Sequence, residues 1–211
     1  MITLYPSVLS SAKRLPQKLL PKKLAAAYAG RGMLIAIDAN VPHGNILANS
    51  AIRGAEILRL DITQDSIWQI TQAVHRNCPN SIHLVVHGSP GCLHFSSGDL
   101  TLSNLPHYAE QLESWFGYAP CHWGSSMKVK AARSFLSLHA CNVAAEAAGA
   151  AFLEHLQYLV GVSIHASQSN VGSITLQDSW ALEVSHPFPQ EAVLPFTQKV
   201  MARNAIARNI K

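Results

Sequence analysis

The feature that most constrains the fold is an alternation. Short apolar runs, "MLIAID", "EILRLD", "SIHLVVHG", "SFLSLHAC" and "GVSIHAS", recur between residues 33 and 167, and stretches of helical periodicity separate them. Runs this short with little polar alternation behave as strands covered on both faces. The segments between them supply the covers. "NILANSAIRGAE" places Ile46, Leu47, Ala51 and Ile52 on one side, with Gly54 as a stop. "DSIWQITQAVHRNCP" offers Asp65 as an N-cap and Ile67, Trp68, Ile70, Thr71 and Val74 at helical spacing before Pro79. "SNLPHYAEQLESWF" and the Ala-rich "NVAAEAAGAAFLEHLQYLV" complete the helices, the last predicted over residues 142–160. "GCLHFSSGDLTL" is predicted as a small hairpin around Gly98-Asp99, and "NVGSITLQDSWALEV" as a closing C-terminal hairpin. Residues 117–133 have no period and are expected to form a long loop. The fold class that follows is α/β, a doubly wound, mostly parallel sheet with helices on both faces and right-handed crossovers.

A chain of 211 residues suits one core domain. Its charge divides it further: residues 1–32 form a basic arm of net +6, residues 33–186 carry −5, and residues 187–211 form a basic tail of +3. Solvated termini are the first reading of such arms; they could also bind nucleic acid or an anionic membrane, but they lack interleaved aromatics. No apolar run approaches the ~20 residues a membrane-spanning helix needs. The N-terminus lacks the unbroken apolar core and small-residue cleavage site of a secretory signal. The four cysteines show no C-x-x-C pairing, so free thiols in a reducing, cytoplasmic compartment are expected. No glycine-rich nucleotide fingerprint follows the first strand, and no cofactor is expected.

In sheets of this kind the working crevice lies at the carboxyl ends of the strands. That rim collects Asp38, His87, Cys141 and the residues after Ser167. Cys141 would begin the 142–160 helix, whose N-terminal N–H groups favour a thiolate. Ends of neighbouring strands lie ~5 Å apart, within reach of a Cys–His nucleophile–base pair. The N–H groups of Gly88 and Cys141 would then form an oxyanion hole. Bland readings stand beside this one: a buried cysteine is often a small hydrophobe, and a lone strand-end histidine is often structural. A serine route is poorer, because Gly88-Ser89-Pro90-Gly91 falls one residue short of G-x-S-x-G. His83, His87, His139, Cys121 and His122 lack any compact ligand spacing, so no metal is expected.

Five motifs occur in order: "LIAID" (Leu34–Asp38), "HGSPG" (His87–Gly91), "LSNLPHYA" (Leu102–Ala109), "CNVAAEAAGAAF" (Cys141–Phe152) and "WALE" (Trp180–Glu183). Together they make residues 33–184 resemble a bacterial domain of unknown function often found near the N-termini of large repeat-bearing surface proteins. That family is in turn similar to the caspase/gingipain clan of cysteine peptidases. The resemblance implies a caspase-like fold, and a cysteine endopeptidase with His87 as base, Cys141 as nucleophile and Gly88 as oxyanion donor. It implies protein or peptide substrates, and Asp38 as an orienting group or a receiver of a cationic substrate residue. Ser167, Ser169 and Asn170 stand where the clan builds its specificity pocket, and the neutral "ASQSNVGS" departs from the acidic residues common there. The basic arms, at Arg14, Lys22, Lys23 or Arg31, are candidates for self-cleavage. The alternative is a catalytically inactive caspase-like module that binds a partner protein.

Overall fold

The computed structural model describes residues 32–117, 134–172 and 182–185. The basic arms, the 118–133 stretch and residues 173–181 of the expected closing hairpin lie outside the described residues. All five apolar runs are strands: β1 (Met33–Ile37), β2 (Glu56–Arg59), β3 (Ser81–Val85), β7 (Phe135–His139) and β8 (Ser163–Ala166). They pair in parallel in the order β2-β1-β3-β7-β8, and β9 (Val184–Ser185) adds antiparallel to β8. A second, antiparallel sheet of three strands follows directly from β3. It comprises β4 (His87–Ser89), β5 (Cys92–Phe95) and β6 (Gly98–Thr101).

Helices cover both faces of the parallel sheet, as expected. One face packs Leu34, Ala36, Ile82, Leu84, Leu136, Leu138 and Ile164 against α2 (Ser66–Asn77), α3 (Ala109–Gly117) and α4 (Glu146–Val160). The other packs Ile35, Ile37 and Val85 against Leu47 of α1 (Gly44–Ser50), together with Val41, Cys141 and Val171. Asp65 caps α2 by accepting the Trp68 N–H at 2.7 Å, a contact worth about 1 kcal/mol. Its other oxygen accepts the Tyr108 hydroxyl at 3.0 Å and ties down the 3-10 turn Leu105–Tyr108 that leads into α3. Trp68, grouped by spacing with the core residues, is exposed. The aromatic that does fill this layer is Trp115, fully buried, whose indole N–H donates to Thr71 Oγ1 at 2.9 Å.

Three boundaries differ from expectation. α1 ends at Ser50, before Gly54, because Ala51 turns to an extended backbone (ψ 152°). His87 does not end β3; Val86 intervenes and His87 opens β4. The last long helix begins at Glu146, not at residue 142, and a turn over residues 141–144 precedes it. Asn142 takes a left-handed conformation (φ 57°) in that turn. Gly149 permits the compact return of the helix, since a Cβ there would lie 2.5 Å from the Ala144 carbonyl carbon.

Candidate functional site

The carboxyl ends of β1, β3, β7 and β8 converge as expected, and backbone hydrogen bonds stitch them together. The Asp38 N–H donates to Val85 O at 2.9 Å, and the Val86 N–H donates to His139 O at 3.3 Å. The Asn142 N–H donates to Ser169 O at 2.9 Å, and the Ala144 N–H to Ser167 O at 3.0 Å. Asp38, His87, Gly88 and Cys141 stand at this edge, and Ser167, Ser169 and Asn170 lie in the loop after β8.

Gly88 brings the β3 and β7 ends into contact. A Cβ at residue 88 would lie 2.8 Å from both Ala140 Cβ and the Cys141 carbonyl oxygen, and 3.3 Å from the Cys141 nitrogen. Only a residue without a side chain lets the backbone after His87 lie on the backbone of Cys141. His87 is half-buried, and its Nε2 sits 3.2 Å from the Asn40 carbonyl oxygen. With Nε2 protonated and donating to that carbonyl, Nδ1 is left as the basic nitrogen.

Asp38 lies beneath the rim, wholly buried. One carboxylate oxygen accepts the Asn40 N–H at 3.0 Å; the other accepts the Ser96 N–H and hydroxyl, each at 2.9 Å. A carboxylate so enclosed does not meet a substrate residue in this arrangement. It fixes the loop that presents the Asn40 carbonyl to His87, and it ties β1 to the β5–β6 turn.

Cys141 is 5% exposed. Its sulfur accepts the Val171 N–H at 3.4 Å and donates to the Val171 carbonyl at 3.6 Å, so the loop after β8 lies over the thiol. Because α4 starts at Glu146, the helix-dipole argument for activating Cys141 does not hold, and the Val171 N–H donates to the sulfur.

That covering loop is organised by Glu183, whose role the sequence did not disclose. Its carboxylate accepts the Ser167 hydroxyl at 2.7 Å, the Gln168 N–H at 3.0 Å and the Ser169 hydroxyl at 2.8 Å. Burial pushes the Glu183 carboxyl up, but the bonds from Ser167, Ser169 and Gln168 outweigh it and hold the group below its ordinary range. Ser167 is buried, whereas Ser169 and Asn170 are exposed, and Asn170 Oδ1 accepts the Asn142 amide at 2.9 Å. Thus the neutral "ASQSN" stretch does meet an acidic residue, delivered by the segment ahead of β9. "WALE" was the available signal, but nothing in the sequence says where its glutamate lands.

The thiols also differ from expectation. Cys92 and Cys141 are free, but Cys78 is disulfide-bonded, so the prediction that all four cysteines are reduced fails. Among the described residues no helix is long and apolar enough to cross a membrane.

A family model described as a domain of unknown function (DUF4347) matches residues 34–205. No curated protein matches the chain. Among solved structures, caspase-1 from Spodoptera frugiperda is similar at 12% identity and a TM-score of 0.30, covering 54% of this chain and 48% of that one. The chain thus spans about half the length of that caspase chain.

Proposed function

The chain belongs to the DUF4347 family, a membership that carries no activity of its own, and from the geometry of its rim we propose a caspase-like cysteine endopeptidase built on His87 and Cys141. The observation that carries this reading is the seating of Gly88 on the Ala140–Cys141 backbone. The backbone after His87 lies against that of Cys141, which supports a dyad with a shared oxyanion hole.

In the proposed reaction His87 Nδ1 takes the Cys141 proton, and the thiolate attacks a peptide carbonyl. The developing oxyanion is held by the N–H groups of Gly88 and Cys141. Protonated His87 gives its proton to the leaving amine, and water then releases the acyl group from the thioester. The Asn40 carbonyl, 3.2 Å from Nε2, orients the ring throughout. Ser169 and Asn170, exposed in the loop whose Val171 bonds the thiol, would contact the substrate, and buried Ser167 would support that loop. Asp38 serves as a positioning residue through Asn40. The substrates are proteins or peptides, the basic arms included. A disulfide at Cys78 fits an oxidising compartment better than the cytoplasm expected from the sequence.

The second reading, an inactive caspase-like module that binds a partner protein, is favoured by one observation. Val171 occupies both hydrogen-bonding directions of a thiol that is almost fully covered. A peptidyl acyloxymethyl ketone separates the two. The peptidase labels Cys141 faster than Cys92, and His87→Ala removes the difference. Equal labelling of the two thiols in the wild type would leave the binding module. An intact N-terminal arm in active protein, seen by mass spectrometry, would remove self-cleavage without touching the dyad.

A further inference from the structure

The three-stranded sheet has two unlike faces. Residues directly opposite one another in antiparallel strands share a face, and the register aligns Gly88 with Leu93 and Leu93 with Leu100. That row is buried and anchors the sheet to the core. The other face carries two polar rows, His87–His94–Asp99 and Ser89–Cys92–Thr101. Three of these side chains converge. The Cys92 sulfur is 3.4 Å from His94 Nδ1, and His94 Nδ1 is 2.9 Å from Asp99 Oδ1. All three donor atoms lie within 4.8 Å of one another.

We propose that Cys92 Sγ, His94 Nδ1 and Asp99 Oδ1 form a binding site for a zinc-class divalent cation, with a fourth position open to solvent. Tetrahedral bonding to sulfur, nitrogen and oxygen places such donors about 3.3–3.6 Å apart. The sulfur–nitrogen spacing is already in that range, and the nitrogen–oxygen spacing needs to open by only a few tenths of an ångström. A thiolate and an imidazole select a borderline-soft ion over magnesium or calcium. The other nitrogen of the ring is also provided for: His94 Nε2 lies 2.8 Å from the Ser89 hydroxyl, which can accept its N–H and so fix Nδ1 as the ligand nitrogen. A Ser89–His94–Asp99 hydrogen-bond chain also has the outline of a serine-type triad, but that reading leaves the Cys92 sulfur at Nδ1 without a purpose. The cation reading uses it. Half-buried Cys92 and exposed Asp99 leave room for entry, and the Cys92 proton is released to water on binding.

The site uses neither His87 nor Cys141 and does not rest on the peptidase reading. The test therefore uses the full chain with Cys141→Ala, which removes the other described free thiol. Cobalt(II) serves as the probe and zinc as competitor. The expected result is one equivalent of cobalt with a sulfur-to-metal charge-transfer band, bleached by zinc. Cys92→Ser should abolish the band, and Asp99→Asn, at an exposed position, should weaken binding without disturbing the fold. Ser89→Ala should weaken it by about tenfold. Absence of the band, or a band that survives Cys92→Ser, would overturn the proposal.

Discussion

His87 Nε2 faces the carbonyl oxygen of Asn40 at 3.2 Å, and the N–H of the same Asn40 donates to buried Asp38 at 3.0 Å. The ring is thus oriented by a backbone group that a carboxylate holds from below. Asp38→Asn puts an amide N–H where the Ser96 N–H now donates. The expected cost is about 1.5–3 kcal/mol, the range for hydrogen bonds to charged groups. Urea denaturation measures it. Labelling of Cys141 by an acyloxymethyl ketone should slow in the same variant, because His87 loses its fixed orientation. Unchanged labelling would separate Asp38 from the site.

Gly88→Ala tests the contact between strand ends. The new Cβ meets Ala140 Cβ and the Cys141 carbonyl at 2.8 Å, so the β3 and β7 ends must part. Overpacking of this kind costs about 1–3 kcal/mol. A thermal melt reports the loss, and Cys141 should lose its labelling advantage over Cys92 even in the folded fraction.

Glu183→Gln tests the cover over Cys141. The substitution removes the charge that gathers Ser167, Gln168 and Ser169, while leaving α4 and the strands intact. Losing even 1.4 kcal/mol from the loop raises its open population about tenfold. Iodoacetamide should then modify Cys141 about an order of magnitude faster, with Cys92 unchanged as internal reference. Acid acts in the same direction. Because the Glu183 carboxyl is held low in the fold, its contribution is present at neutral pH and is lost as the pH falls through that lowered value.

Buried histidines give a second pH dependence. His83 and His139 stack across β3 and β7, with His83 Nδ1 3.1 Å from His139 Nε2. Burial, and the proximity of His165, lower the His139 pKa to about 3; burial, with His139 and His165, holds His83 well below its ordinary range. Both are neutral in the fold, whereas in the unfolded chain each takes up a proton below about pH 6.5. Stability is therefore full above that pH and falls as the solution is acidified, by about 1.4 kcal/mol per unit for each histidine. Denaturation at about pH 7.5 and 5.5 should differ by roughly 2–3 kcal/mol. A flat profile would mean that one of the pair is charged in the native state.

Much of this was legible in the sequence, and the reasons for the rest are physical. Strand and helix existence followed from apolar period, and the β2-β1-β3-β7 order matched a doubly wound sheet. Boundaries failed where geometry overrode periodicity. The Ala-rich run looks helical from residue 142, but Asn142 turns left-handed and the helix waits until Glu146. Long-range pairings were invisible for a different reason. Asp38 with Ser96, and Glu183 with Ser167, meet only after β-pairing brings them together. Cys92, His94 and Asp99 show no compact ligand spacing along the chain, because their convergence comes from hairpin register. The hairpin is legible in "GCLHFSSGDLTL", but its turn falls at Ser96-Ser97 rather than around Gly98-Asp99, and it is this register that sets His94 opposite Asp99.

The group that orients His87 is a peptide carbonyl, and this changes what mutagenesis can find. Replacing Asn40 with almost any residue leaves that oxygen in place, since the side chain takes no part in the contact. A side-chain scan would therefore pass over the third member of the constellation and return a dyad. Only a change that moves the main chain, such as a substitution of Asp38 or the exchange of an amide for an ester at residue 40, would bring it to light.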